Sequence, residues 1–491
     1  MLILRQINAQ FCKVDSPEHQ EFVYNALSFD TMMRDPFTGY PKKIVKSFLD
    51  KRGMKFPCGL IPFVMEKADE KGLDVELHNI KSTANLVKNP EIEGITFEDY
   101  QSECLRLAGK KNNGHYRGLF ISPTGSGKTV IIGGLIAKFN IPCTLIIVIN
   151  RTIFKQTIAD MEKWFPFLEV GAVGDDICTI GHITIAMYQS LVKFDLKKLN
   201  NMVEMIVVDE VHRMNASVMS ILKRMDKCHI RFGLTATEHD RETDFEKWGN
   251  TVGYIGTLIK EITDEEADAR IVPCHVYMIN HYCHDPIGTD YDSVFHNDVL
   301  FSEVRIRKML RAAKIFIDRG FNCLFLLHEI GQAERAKKIA LELGLSPYVA
   351  HSKNDKKYND ALKERLNNRQ INFVIATQVF GTGTNIPNID VVVLGSLRKS
   401  LIETLQNIGR GRRRTKDKQF LIVIDANDKV RNNMDKRKNF FSYFEQYSKK
   451  RIKLYEKKGW FKGNLSMLKL DKVRTIIKNK PKRFKLKGRL K

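Results

Sequence analysis

The chain has 491 residues, 43% of them hydrophobic, with 80 Lys and Arg against 57 Asp and Glu and a formal net charge of +23. That apolar content excludes a globally disordered chain, and apolar runs such as Leu145–Ile149 have the length of a buried strand, far short of a membrane span. Nine cysteines without a CxxC pair exclude a disulfide scaffold and fit a reducing cytoplasm, and the opening MLILRQINAQ lacks the basic and apolar regions of an export signal.

The first 88 residues read as a small α+β accessory module. Turn-rich DPFTGYP (35–41) precedes an expected helix over Lys43–Lys51. Residues 56–80 then read as loop, amphipathic helix, turn and strand. Leu60, Phe63, Val64 and Ala68 share one helical face, and Gly72 stands where a helix would end.

From residue 89 to 266 the pattern changes. Short apolar runs at 119–122, 144–150, 182–186, 205–209 and 231–235 alternate with helical segments. After the acidic stretch Thr263–Asp268 the alternation resumes over 267–435, with runs at 323–327, 348–351, 373–377, 391–395 and 420–425. Continuous apolar strands between helices predict parallel sheets covered on both faces, here two successive α/β domains. Residues 436–491 read as a basic helix and tail. Residues 449–491 alone hold 18 Lys and Arg against Glu456 and Asp471, which leaves only +7 for residues 1–448. Such a block predicts a polyanionic partner, nucleic acid first.

Ser122-Pro-Thr124-Gly125-Ser126-Gly127-Lys128-Thr129 follows a predicted strand and opens a predicted helix. Glycines let the backbone N–H groups turn toward phosphate, and the helix N-terminus adds a favourable dipole. Lys128 can reach the β- and γ-phosphates of ATP, and the Thr129 hydroxyl can hold Mg²⁺. The loop departs from strict GxxxxGK[ST] at Ser122. Asp209 and Glu210 end an apolar strand 81 residues after Lys128. Carboxylates there project into a ligand crevice, Asp209 toward Mg²⁺ and Glu210 toward the attacking water.

Together with later motifs these residues resemble the superfamily 2 helicases. Asp209-Glu210-Val211-His212, the phosphate loop, Leu234-Thr-Ala-Thr237 and Gln406-Asn-Ile-Gly-Arg410-Gly-Arg-Arg413 stand in that family's order. Tyr100-Gln101 precedes Lys128 by 27 residues, where the family has its adenine-reading glutamine. The resemblance covers roughly residues 92–430. It implies two tandem RecA-like domains, ATP bound by Gln101, the phosphate loop, His212, Gly383 and Gln406, and arginine fingers at Arg410 and Arg413. Arg412 and Arg414 are left for the phosphate backbone.

The resemblance also implies a single strand of DNA crossing both domains. Arg151, Thr184, Gln189, His328 and Thr377 stand at the corresponding positions, while Asn385 departs from an acidic residue common in relatives. The layout as a whole is similar to the UvsW-type phage recombination helicases. That implies a monomeric, DNA-stimulated motor on forks, Holliday junctions and displacement loops, its accessory module on duplex DNA. An RNA helicase, the motor of a restriction system and an ATPase-regulated DNA-annealing protein are the competing readings. Two side features have bland alternatives. Trp460-Phe461 in the basic tail is a base-stacking candidate. Cys274, His275, His281, Cys283 and His284 lack metal-site spacing, and alternate residues of a strand diverge.

Overall fold

The apolar runs of the first half line up as one sheet. Its order in the computed structural model is Ile177–Cys178, Val170–Gly174, Ile183–Met187, Thr144–Val148, Met205–Asp209, Ile230–Thr235, Arg117–Ile121 and Leu258–Glu261. Only Ile177–Cys178 runs antiparallel to its neighbour. The structure describes residues 1–35, 40–237, 241–242, 244–284, 286–288, 290–377, 380, 386–395, 401–416, 418–431 and 441–465. They divide into two units, Met1–Pro123 with Gly127–Ala267, and the chain from Asp268 on with Thr124–Ser126. Among the described residues no helix is long and apolar enough to cross a membrane.

Parallel strands buried on both faces need no polar alternation. Accordingly Leu145, Ile146, Ile147 and Val148 are all buried. Val170–Gly174 and Leu258–Glu261 are strands that the apolar pattern does not announce. The first contains two glycines in five residues and the second is a half-exposed edge.

The N-terminal residues form a second, four-stranded sheet in the order Lys55–Pro57, Phe11–Val14, Leu2–Gln6, Val75–His78. Helix Ile61–Asp69 buries Phe63, Val64 and Ala68, and Gly72 adopts φ +65° at the expected turn. The helix expected over Lys43–Lys51 does not form. Pro41–Ser47 is a strand paired with Ser28–Arg34, and the turn-rich text lies between the two. Hairpin pairing outweighs the helical spacing there, and the proline opens the second strand.

This N-terminal sheet is not insulated from the larger one. A continuous hydrophobic core runs from Leu2 and Phe56 through Leu60, Trp248 and Val252 to Leu145 and Val208. Gly59 is required at the seam, since a β-carbon there would stand 1.9 Å from the Val252 carbonyl oxygen. Two buried arginines close the seam. Arg117 donates to the carbonyls of Ala9, Tyr254 and Ile255, and Arg231 donates to the side-chain oxygen of Gln10 and the carbonyl of Cys228.

The second unit carries a seven-stranded parallel sheet. Its order is Tyr348–Ala350, Phe373–Ala376, Cys323–Leu326, Val391–Leu394, Leu421–Arg431, Cys274–His284 and Phe461–Asn464. Cys274–His284 and Leu421–Arg431 pair over their full length. His275 stacks on Phe420 at 4.5 Å, and His281 Nδ1 lies 2.9 Å from Asp428 Oδ1.

The basic segment after Tyr447 is in part a structural element of this sheet. Helix Phe441–Lys457 places Arg451 Nε 2.7 Å and the Tyr455 hydroxyl 2.8 Å from Asp425 Oδ2. Trp460 is buried, and Phe461–Asn464 forms the sheet's edge. Residues 466–491 lie outside the described residues.

Asp428 is fully buried beside Arg305, whose Nε stands 2.9 Å away. Burial works against its charge, but Arg305 first and then His281 outweigh it and bring the carboxyl down to about 2. A depressed carboxyl contributes stability above the unfolded value near 4 and loses it as pH falls through the folded one. Urea unfolding is therefore expected to lose about 2 kcal/mol between pH ~4 and ~2 through this group. Asp428→Asn should flatten that stretch of the profile. An unchanged acid limb in the variant would remove Asp428 as its source.

Candidate functional site

The phosphate-loop strand Arg117–Ile121 and the acidic strand Met205–Asp209 flank Ile230–Thr235 in the sheet. Three motifs distant in sequence thus leave from adjacent carboxyl ends of parallel strands, where an open α/β sheet binds its ligand. Gly125 and Gly127 take φ of +94° and +87°, in the left-handed region open to glycine. Helix Lys128–Phe139 begins directly after them.

Lys128 Nζ stands 3.2 Å from Glu210 Oε1. Glu210 itself has a left-handed backbone, φ +51° and ψ +48°, an uncommon conformation for a non-glycine residue and one that clusters at working sites. His212 Nδ1 lies 3.3 Å from Glu210 Oε2 and 2.9 Å from the Thr235 hydroxyl, which donates to the Thr237 carbonyl at 2.7 Å. The acidic motif and the Leu234–Thr237 motif are therefore joined by one hydrogen-bonded chain.

The two carboxyls are driven apart. Burial, and then the charge of Glu210, push Asp209 up to about 7 against the pull of Lys128. Burial opposes the charge of Glu210 as well, yet Lys128 and then His212 prevail and hold it below the usual carboxylate range. One buried carboxylate is matched by a cation and its neighbour is not.

Gln101 is buried in helix Asp99–Ala108. Its side-chain oxygen accepts from the Glu98 N–H at 3.0 Å in a capping box, and its amide reaches the Tyr100 hydroxyl at 3.4 Å. The position expected to read adenine is thus a helix-capping one.

Arg151 and Gln189 come together at the ends of paired strands. Asn150 caps helix Arg151–Trp164, and the Gln189 amide reaches the Ile149 carbonyl at 3.4 Å. Thr184 departs from expectation. It is fully buried, and its hydroxyl is engaged with the backbone of Gly181, so it faces protein. Sequence reasoning missed Asp175 and Lys155. Asp175 pairs with Arg151 and, at 2.9 Å, with Lys155, presenting two exposed cations one helical turn apart. Only Gly174-Asp175-Asp176 as a turn signal hinted at it.

In the second unit, His328 and Thr377 stand beyond the carboxyl ends of the adjacent strands Cys323–Leu326 and Phe373–Ala376. Thr377 is buried and its N–H donates to Ala350, while the His328 N–H donates to the Gln332 side chain at 3.0 Å. Gly383 and Asn385 lie outside the described residues.

Helix Leu401–Gly409 carries Gln406 and runs into the arginine turn. Arg410 donates to the Phe380 carbonyl, and Arg413 is exposed. Arg412 cannot serve the phosphate backbone as expected. It is buried, its Nε donates to the Val272 carbonyl at 3.2 Å, and its guanidinium lies 4.8 Å from the Trp460 ring centre. The same stacking removes Trp460 as a base-stacking surface. Lys418 is a further residue that sequence did not mark. Its buried ammonium donates to the carbonyls of Pro387, Ile389 and Gly411, tying the arginine turn to the loop before Val391–Leu394.

Comparison with known proteins bears on the family and the fold. Residues 94–240 match the family described as type III restriction enzyme, res subunit, and residues 305–415 match the helicase conserved C-terminal domain. A DNA 3'-5' translocase XPB2 of Sulfurisphaera tokodaii is 23% identical over 391 residues, 72% of this chain and 86% of the relative. The ATP-dependent DNA helicase uvsW of Enterobacteria phage T4 is 22% identical over 326 residues, 62% of this chain and 64% of the relative. The solved structure of the ATP-dependent type ISP restriction-modification enzyme LlaBIII bound to DNA shares the fold with a TM-score of 0.52 at 14% identity, over 84% of this chain and 35% of that one. The two family matches span more than half of the residues and fall one on each parallel sheet. The chain belongs to superfamily 2 of the helicases, with the phage T4 protein among its relatives.

Proposed function

We propose that the protein is an ATP-driven motor on DNA that remodels branched substrates such as forks, four-way junctions and displacement loops. The observation that carries the reading is the Lys128–Glu210 pair at 3.2 Å, beside the unmatched Asp209 and under a left-handed glycine loop. Such a pair is an ATPase at rest. Phosphate oxygens arriving in the loop compete for Lys128, and Glu210, once released, is free to orient water and accept its proton. Thr124, Gly125, Ser126 and Gly127 offer backbone N–H groups to the phosphates, Gln101 the adenine contact, and His212 with Gln406 a link from nucleotide to the rest of the motor. Arg410 and Arg413 supply cations for charge developing on the transferred phosphoryl group, an effect of about 10³–10⁵ in rate in this chemistry.

The residues fit a magnesium ion. Thr129 and Asp209 are hard oxygen donors, and Asp209 is short of the positive charge that would keep it ionised. Thr129 and Asp209 would hold such an ion, which would supply positive charge against the phosphate oxygens. Arg151, Lys155, Gln189, His328 and Thr377 are the proposed track for a single strand, contacting backbone without reading sequence.

DNA is favoured over RNA because the two relatives named above are described as a DNA translocase and a DNA helicase. ATP turnover measured with single-stranded DNA, forked DNA, four-way junctions and RNA tests the whole reading. Greatest stimulation by a branched DNA is expected. Greatest stimulation by RNA would overturn the substrate assignment.

A further inference from the structure

The seven-stranded sheet of the second unit ends unevenly. Cys274–His284 pairs with Leu421–Arg431 along its full length. On its other side it meets Phe461–Asn464 only from Val276 to Met278, where the register slips and the pairing stops. The Val276 N–H donates to the Trp460 carbonyl. Every second residue of a strand turns its backbone groups the same way, so Asn280 and Tyr282 offer theirs on that side too. Beyond Met278 no described strand receives them.

Beside this open edge lies a cavity of about 400 Å³. One stripe of helix Glu303–Ile317 forms its wall, with Lys308, Arg311, Ala312 and Ile315 at the spacing of a single helical face. Met278 and Leu465 add to the apolar lining. The charges are of one sign. Lys308 Nζ donates to the Asn280 carbonyl at 3.2 Å, at the edge itself, and Arg311 is exposed. Arg307 on the same helix is taken up by Glu303 and Glu342, but among the described residues no acid lines the cavity.

Three features converge on one chemistry. An unpaired strand edge takes an extended peptide by main-chain hydrogen bonds, and a pocket beside it takes alternate side chains. Cations at the rim take carboxylates. An apolar cavity offers nothing to a phosphate backbone, which disfavours a nucleic-acid strand there. We infer that this edge docks an acidic peptide of a partner protein. The peptide adds a strand along Asn280–His284, seats an apolar side chain between Met278 and Ala312, and meets Lys308 and Arg311 with its carboxylates. Lys308 has three donor hydrogens, so its ammonium holds the Asn280 carbonyl and a carboxylate together.

The probe is a fluorescein-labelled peptide, Glu-Asp-Ile-Asp-Leu-Glu, titrated with the full chain and read by polarisation. Glu-Asp-Ser-Asp-Ser-Glu and Gln-Asn-Ile-Asn-Leu-Gln are the controls. Each control is expected to bind at least about tenfold more weakly, the first for its lost apolar side chains and the second for its lost charge. Lys308→Gln with Arg311→Gln should weaken the acidic peptide about tenfold and leave the uncharged control and the melting temperature unchanged. Ala312→Leu, which narrows the cavity, should weaken the acidic peptide but not its serine control. Absent or equal binding of the three peptides would overturn the inference, and so would full affinity in the double glutamine variant. Displacement of the peptide by single-stranded DNA, with weaker DNA binding by that variant, would overturn it by assigning the cations to nucleic acid. Peptide binding that appears only in a full chain carrying Met467→Ser, Leu468→Ser and Leu470→Ser would overturn it in favour of the chain's own segment as occupant.

Discussion

Lys128→Ala is expected to abolish nucleic-acid-stimulated ATP turnover, with a loss of at least about 100-fold. Two effects add. The variant removes the ammonium group proposed to meet phosphate. It also strips Glu210 of the partner that holds its carboxyl low. Burial then governs Glu210 and raises it, so less of the water-orienting group is ionised at neutral pH. Glu210→Gln, which keeps the shape, should lose turnover while retaining nucleotide binding. Thermal unfolding of both variants separates lost chemistry from lost fold. Normal DNA-stimulated turnover in a well-folded Lys128→Ala protein would remove the proposed phosphate site.

A chain ending at residue 448 is expected to lose the second unit's fold, whereas one ending at 465 should keep it. The shorter chain leaves Asp425 buried without Arg451 and Tyr455 and strips Tyr455 and Trp460 from the core. Breaking a buried ion pair from one side costs about 3–5 kcal/mol, and deleting a large core aromatic costs about as much again. Those terms together rival the stability of an ordinary domain. The longer chain removes only residues 466–491, with 11 Lys and Arg against Asp471. It should retain ATP turnover at saturating DNA and lose affinity, most at low salt. Circular dichroism melts and DNA titrations at three salt concentrations read both outcomes. Equal losses of turnover and affinity in the longer chain would show that the basic segment belongs to the engine.

Those truncations mark where sequence reasoning reached and where it stopped. The phosphate loop and Asp209-Glu210 were legible because their chemistry lies in short contiguous strings behind apolar strands. Most strands of both sheets were legible for the same reason. The arginine run was only half legible. Arg410, Arg412 and Arg413 look alike in the string, and packing under Trp460 alone sets Arg412 apart. The edge strand Phe461–Asn464 was hidden in a basic stretch because an edge needs little apolar sequence. The Lys43–Lys51 misreading came from helical spacing without regard to the strand it could pair with. Asp175 with Lys155, and Lys418 with its three carbonyls, depend on residues far apart in the chain and leave no local mark.

The unbroken core from Leu2 to Val208 has a mechanical consequence. Gly59 seated against Val252, and Arg117 and Arg231 stitched across the seam, leave no soft joint between the N-terminal sheet and the sheet that holds Lys128. The hairpin rooted on Phe245 rides the same body. Its root is therefore tied to the nucleotide-binding sheet, so a displacement of that sheet carries Phe29 and Thr31 with it.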